Sequence, residues 1–294
     1  MTNRTKTWLG LFGFIFLISV SVFLSKKNIS NFSGDRALEH VLNQVALGPR
    51  IPGSQAHSEV ISYISDELKE CEWEVEIQES TFANHEIKNI IARRGNGRTP
   101  TILGAHYDSR LLADKDSDLS KRNLPVPGAN DGASGVAILL ELGCTLPDET
   151  SSNLWLVFFD LEDQGKIENW DWILGSRAFV IDLIVHPEAV VIVDMVGDSD
   201  LNIYMDSNSD PEMNSQIWST AKKLDYKEFF ISEGTVSILD DHTPFIEKGI
   251  RAVEIIDIKY PYWHTTEDTS DKVSAQSLEI VGRTLEEWLT NFKP

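Results

Sequence analysis

At 294 residues and 41% hydrophobic content the chain can bury a full core, and an α/β fold of this size forms a single domain of about 250 residues. A formal net charge of −20 argues against nucleic acid or an anionic membrane surface as a partner and reads as a solvated acidic surface. Two isolated cysteines, Cys71 and Cys144, lack C-x-x-C spacing; they could pair, but they read more simply as buried small hydrophobes and do not reveal the redox compartment.

Arg4 and Lys6 precede an uncharged, mostly apolar stretch from Trp8 to Leu24, and Lys26 and Lys27 follow it. The stretch is at the short limit of a membrane span, and no small-x-small cleavage site is well formed. The expectation is an uncleaved N-terminal anchor, favoured over a cleaved signal of a secreted chain, with the globular part outside the cytoplasm. Residues 25–34 then form a polar tether, so residues 1–34 are anchor plus tether and residues 35–294 the globular domain.

Along that domain, "DRALEHVLNQVALG" has apolar residues at helical spacing, with Asp35 as a candidate N-cap and Gly48 as a stop. "SEVISYISDELKE" is a second amphipathic helix, and "WEVEIQES" and "IKNIIARR" are strands. From there strands and helices alternate. "TILGAH", "LWLVFFD", "AVVIVDM", "LNIYMD" and "RAVEIIDI" are strands. "GASGVAILLELGCTL", "WILGSRAFVIDLI", "PEMNSQIWSTAKKL" and "SAQSLEIVGRTLEEWLTNF" are helices. This pattern predicts a single α/β domain with a central, mostly parallel mixed β-sheet flanked by helices. Two long loops, Leu111 to Asn130 and Gln164 to Asp171, read as lids or pocket walls.

Three apolar runs, the kind buried on both faces of a sheet, stop at residues that can bind a metal. "TPTILGAHYDS" ends at His106 and Asp108, "NLWLVFFDLED" at Asp160, Glu162 and Asp163, and "EAVVIVDMVGD" at Asp194. Ligands gather beyond the carboxyl ends of strands in open α/β sheets. Buried carboxylates need counter-charge, and several acids with only histidines for company point to a cation. "PGANDGASG" adds Asp131, which could equally be a helix N-cap. "DDHTPF" adds Asp240, Asp241 and His242 at a helix start, and "YPYWHTTEDT" adds His264 after Trp263. Carboxylate and imidazole are zinc's ligand types, and a free acid is what proton transfer needs.

Taken in order, "GPRIPGS", "GAHYDS", "GANDGASG", "FFDLED", "LGSRAF", "DMVGD", "DDHTPF" and "WHTTEDT" resemble the zinc exopeptidase family that holds bacterial aminopeptidases and glutaminyl cyclases. The resemblance implies metal ligands at His106, Asp131, Asp163, Asp194 and His264, with Asp131 able to bridge two ions, and a proton-transferring acid at Glu162. Asp163, where many members carry Glu, resembles bacterial cyclases. So does Asp240, which would bind the reacting amide with Asp194. Trp263 is cyclase-like, and a second pocket tryptophan is expected at Trp170 or Trp172, with Trp170 preferred because Trp172 sits in an apolar helical pattern. The implied activity is zinc-dependent glutaminyl-peptide cyclotransfer at peptide or protein N-termini with one Zn²⁺. An aminopeptidase with two Zn²⁺ is the alternative, and a non-catalytic anchored receptor-like homologue a third.

Overall fold

The computed structural model describes residues 30–95, 99–151 and 153–292. The apolar stretch at 8–24, with the anchor read from it, lies outside the described residues. Among those described, no helix is long and apolar enough to cross a membrane.

The chain runs α1 (Gly34–Ala46), α2 (Gln55–Glu70), β1 (Glu74–Phe82), β2 (His85–Arg94), β3 (Thr101–His106), α3 (Ala133–Thr145), α4 (Asp148–Ser151) and β4 (Leu154–Phe159). It continues through α5 (Leu174–Asp182), β5 (Ala189–Asp194), β6 (Ile203–Asp206), α6 (Pro211–Lys223), β7 (Phe230–Val236), α7 (Thr243–Glu247), β8 (Ala252–Ile256) and α8 (Ala275–Asn291). Six strands form one mixed sheet in the order β1-β2-β4-β3-β5-β8. β1, β2 and β4 pair antiparallel, while β4, β3, β5 and β8 run parallel. The predicted α/β domain is therefore observed.

Side-chain alternation sets the layers, because successive residues of a strand face opposite sides. Leu103, Ala105, Leu156, Phe158, Val191 and Val193 enter the core beneath α1, α3 and α8. Ile102, Val157, Phe159, Val190 and Ile192 enter the opposite core, against Phe179 of α5 and Phe245 of α7. α3 is buried on every side from Ala133 to Gly143, which is why its sequence shows no polar face.

Several local expectations are corrected. Ser33, not Asp35, caps α1, its hydroxyl accepting from the Arg36 N–H at 3.4 Å. The last residues of the predicted tether are bound to the body. Phe32 is buried against Gly282 of α8, where any Cβ would collide with its ring, and the Ser33 and Gly34 N–H groups donate to Glu141 and Glu279 at 3.0 Å each. β7 escapes the sequence patterns because "FISEGTV" has Glu and Gly inside it and is mostly exposed. The cysteines are not separate buried hydrophobes: Cys71 and Cys144 form a disulfide joining the end of α2 to α3, with Cys144 exposed.

Candidate metal centre and its cavity

β3 is the sheet's switch strand: the crossover through α3 leads to β4 on one side, and the next leads back to β5 on the other. A crevice opens beyond the carboxyl ends of strands at such a point. His106 closes β3, Glu162 and Asp163 follow β4, Asp194 closes β5, and Asp131 sits just before α3. His264 arrives on the loop between β8 and α8.

Two buried trios result, sharing Asp131: His106 with Asp131 and Asp194, and Asp131 with Asp163 and His264. His106 Nε2 lies 3.0 Å from Asp131 Oδ1 and 3.1 Å from Asp194 Oδ1. One nitrogen carries at most one proton, so it cannot satisfy both oxygens. His264 Nε2 is 2.8 Å from Asp163 Oδ1 and 3.7 Å from Asp131 Oδ2. Both ring nitrogens of His264, Asp131 Oδ2 and Asp163 Oδ2 are buried without a hydrogen bond. Buried polar atoms are nearly always satisfied, so a convergent orphan set signals an absent partner. Ligand atoms on a tetrahedral zinc lie roughly 3.3 Å apart, given bonds of about 2.0–2.2 Å. The donor types and spacings of the Asp131–Asp163–His264 trio fit such an ion.

Asp131 is not a helix cap: Gly132 holds that position with no side-chain cap bond. Gly132 is required because a Cβ there would stand 2.4 Å from His106 Nε2. Asp108, one of the strand-end acids, serves as a backbone anchor. Its oxygens accept the Glu162 and Asp163 N–H groups at 3.1 and 3.3 Å and the Gln164 side-chain amide at 2.9 Å. Asp160 turns away to His57 at 2.7 Å. Three groups the sequence left without a role also frame the centre. Asp268 accepts the Asn130 and Asp131 N–H groups and the Tyr260 hydroxyl. Arg110 donates to the Asp163 carbonyl at 2.6 Å, and Arg50 holds the carbonyls of Tyr107, Pro127 and Gly128. Asp268 lies inside "TTEDT", so that motif was the available signal.

Leu161, Met195 and His264 take the left-handed backbone at φ +52°, +46° and +58°. Each costs on the order of 1–3 kcal/mol for a non-glycine residue, and such strain concentrates where geometry is functional. The His264 carbonyl is held by the Lys115 N–H at 3.1 Å, and its ring stacks with Trp263 at 3.6 Å and with Trp172 at 5.9 Å. The loop from Leu111 to Asn130 is thus a brace rather than a lid: Asp116 in it also accepts the Thr266 N–H and hydroxyl.

Electrostatics follow from enclosure. Burial first, then neighbouring acids, pushes Asp163 up to about 6 and Asp194 to about 7. Burial, reinforced by Asp240, pushes Glu162 well above the carboxylate range. Burial works against a charged His106, yet Asp194, Asp108 and Asp131 raise it well above the usual imidazole value. Each shift expresses the same demand for positive charge.

A cavity of about 590 Å³ opens over the centre. Asp131, Glu162, Asp163, Asp194 and Asp240 form its acidic side, and Trp172 and Trp263 stand in its wall. Of the nine residues the sequence nominates for the site, Asp131, Glu162, Asp163, Asp194, Asp240 and Trp263 line it; His106 and His264 are buried against the lining acids, and Trp170 packs with Leu161 and Leu174 and stacks on His85 at 3.7 Å. Trp172 stands where Trp170 was expected, because the segment before α5 folds out of helix and turns the indole inward; α5 starts only at Leu174.

A family model described as peptidase family M28 matches residues 89–289. Glutaminyl-peptide cyclotransferase of Drosophila melanogaster is 26% identical, over 86% of this chain and 80% of its own. Among solved structures, glutaminyl cyclase of Tannerella forsythia superposes with a TM-score of 0.81 at 30% identity, over 89% of this chain and 99% of that one. A Zn-dependent exopeptidase of Parabacteroides distasonis gives a TM-score of 0.82 at 30% identity, with the same coverage.

Proposed function

The chain belongs to peptidase family M28, and on that footing we propose that it is a zinc-dependent glutaminyl-peptide cyclotransferase, converting N-terminal glutamine to pyroglutamate with release of ammonia. The observation that carries this reading is one cavity lined by two buried carboxyl groups, Glu162 and Asp240, by Asp131 and Asp163 of the Asp131–Asp163–His264 trio, and by two indoles. The glutaminyl cyclase of Tannerella forsythia supports it.

Asp131, Asp163 and His264 would hold one zinc, which supplies Lewis acidity toward the substrate's γ-carbonyl. Glu162 takes a proton from the substrate's α-amine as that nitrogen bonds to the carbon of the side-chain carboxamide, closing a five-membered ring. It returns the proton to the side-chain nitrogen as the carbon–nitrogen bond breaks, and ammonia leaves. A carboxyl group raised by burial suits both halves of this transfer, since a proton shuttle works best near ambient pH. Asp240 and Asp194 hold the leaving nitrogen. Trp172 and Trp263 confine the side chain against the centre, and an intramolecular attack gains mainly from such positioning. The Cys71–Cys144 disulfide supports an extracytoplasmic enzyme, because oxidising compartments sustain such bonds.

One observation favours a second reading. The His106–Asp131–Asp194 trio could seat a second cation, as an aminopeptidase with two zincs would require, and Glu162 would then deprotonate the attacking water. Purified protein is to be assayed with glutaminyl and leucyl peptides while bound zinc is counted. Ammonia release with about one zinc per chain supports the cyclotransferase; leucine release with about two supports the peptidase.

A further inference from the structure

We infer that Leu239 and Ile258 form a subsite for the side chain of the substrate's second residue, and that this subsite selects large apolar residues. The inference rests on the cyclotransferase reading and deepens it.

Large apolar side chains scattered singly over a surface need no explanation, but two converging on one opening do. Leu239 is 54% exposed and Ile258 40% exposed, and both line the cavity over the metal centre. Leu239 immediately precedes Asp240, and Ile258 follows the end of β8. The same lining holds a packed apolar wall: Met195 and Ile256 form a buried cluster with Tyr260, against which Ile238 and Trp263 pack. The two exposed residues therefore continue a built surface outward from the acidic side of the cavity.

Size points the same way. Pockets of about 300–1,000 Å³ hold drug-sized ligands, so a cavity of about 590 Å³ is larger than one glutaminyl residue needs. With the glutamine side chain and α-amine committed to the carboxylates, the peptide continues outward past the opening. The first side chain beyond the reacting residue then meets the Leu239–Ile258 surface. An apolar side chain there removes its own surface and that of both residues from water, whereas a small polar one leaves all three wet.

The test uses the zinc-loaded full chain and three substrates: glutaminamide, which has no second residue, glutaminyl-leucinamide and glutaminyl-serinamide. Wild type is expected to favour leucine over serine in kcat/KM by roughly tenfold or more, within what an apolar pocket commands. The double variant Leu239→Ser with Ile258→Ser is expected to lose most of that preference while turning over glutaminamide at the wild-type rate. Leu239→Met, which conserves apolar volume, is expected to keep it. Equal use of the two dipeptides by wild type, or an undiminished preference in the double variant, overturns the subsite while glutaminamide turnover leaves the cyclotransferase standing. Absence of ammonia from all three substrates removes the reading on which the subsite rests.

Discussion

In the proposed mechanism Glu162 is the residue on which turnover depends most sharply. Its carboxyl lines the cavity yet belongs to neither trio, so it is free to move protons. Glu162→Gln is predicted to lower kcat by about 10²–10⁴-fold with zinc content unchanged, because Gln keeps the shape and loses the proton-carrying group. Activity near wild type in a zinc-replete variant would remove Glu162 from this role. His264→Ala should do the reverse and release metal, read by competition with a chromophoric chelator. At this scale the strand-end acids and the histidines were legible, because apolar runs that stop at charged residues announce where a sheet delivers chemistry. The pocket tryptophan was not. Trp172 continues an apolar pattern of helical period, and only the left-handed turn at Ile173 (φ +58°) breaks that helix before it includes the indole.

Among the elements, the loop from Leu111 to Asn130 acts on the centre from behind. Asp116 accepts from Thr266, and the Lys115 N–H holds the His264 carbonyl, so the loop fixes a residue in a costly backbone conformation. Asp116→Ala is predicted to weaken zinc binding by up to about tenfold, in the manner of groups that orient ligands without touching metal. Isothermal titration would show it, and unchanged affinity would make the loop a passive cover. The sequence revealed the loop's length and its acids but not its partners, since contacts between residues 116 and 266 depend on topology rather than local pattern. β7 was hidden for a related reason: it pairs with β6 in a separate two-stranded sheet, and its mostly exposed residues carry no hydrophobic period.

For the molecule as a whole, two links of long sequence separation set stability. The Cys71–Cys144 disulfide closes a loop across a sequence separation of 73, and the chain-entropy argument assigns such a closure about 4 kcal/mol. A Cys71→Ser, Cys144→Ser double variant should lose stability of that order in urea titrations, and an unchanged midpoint would refute the contribution. Nothing local in the sequence indicated the pairing, because α2 and α3 are far apart along the chain and meet only in the shared core, where Leu68 packs beside Gly143. The second link is the buried His242, whose ring nitrogens lie 3.2 Å from Asp206 and 3.1 Å from Glu254. Burial opposes its charge, but Asp206 and Glu254 together raise it to about 10; burial lifts Glu254 itself well above the carboxylate range, while Asp206 is held low and is the ionised partner. A raised folded value means the contribution is complete below the unfolded value of about 6.5 and is lost as pH climbs through about 10. The stability gap between wild type and His242→Gln should therefore shrink steadily over that window. A gap that widens with pH would contradict the charged pairing.

The whole account depends on Asp131, Asp163 and His264 meeting at a common point beside Glu162. Anomalous diffraction at the zinc edge from crystals of the zinc-loaded protein measures this directly. The predicted result is a strong peak about 2 Å from one atom of each of the three side chains. A zinc peak bound elsewhere, or no peak at saturating zinc in crystals that diffract well, would contradict it.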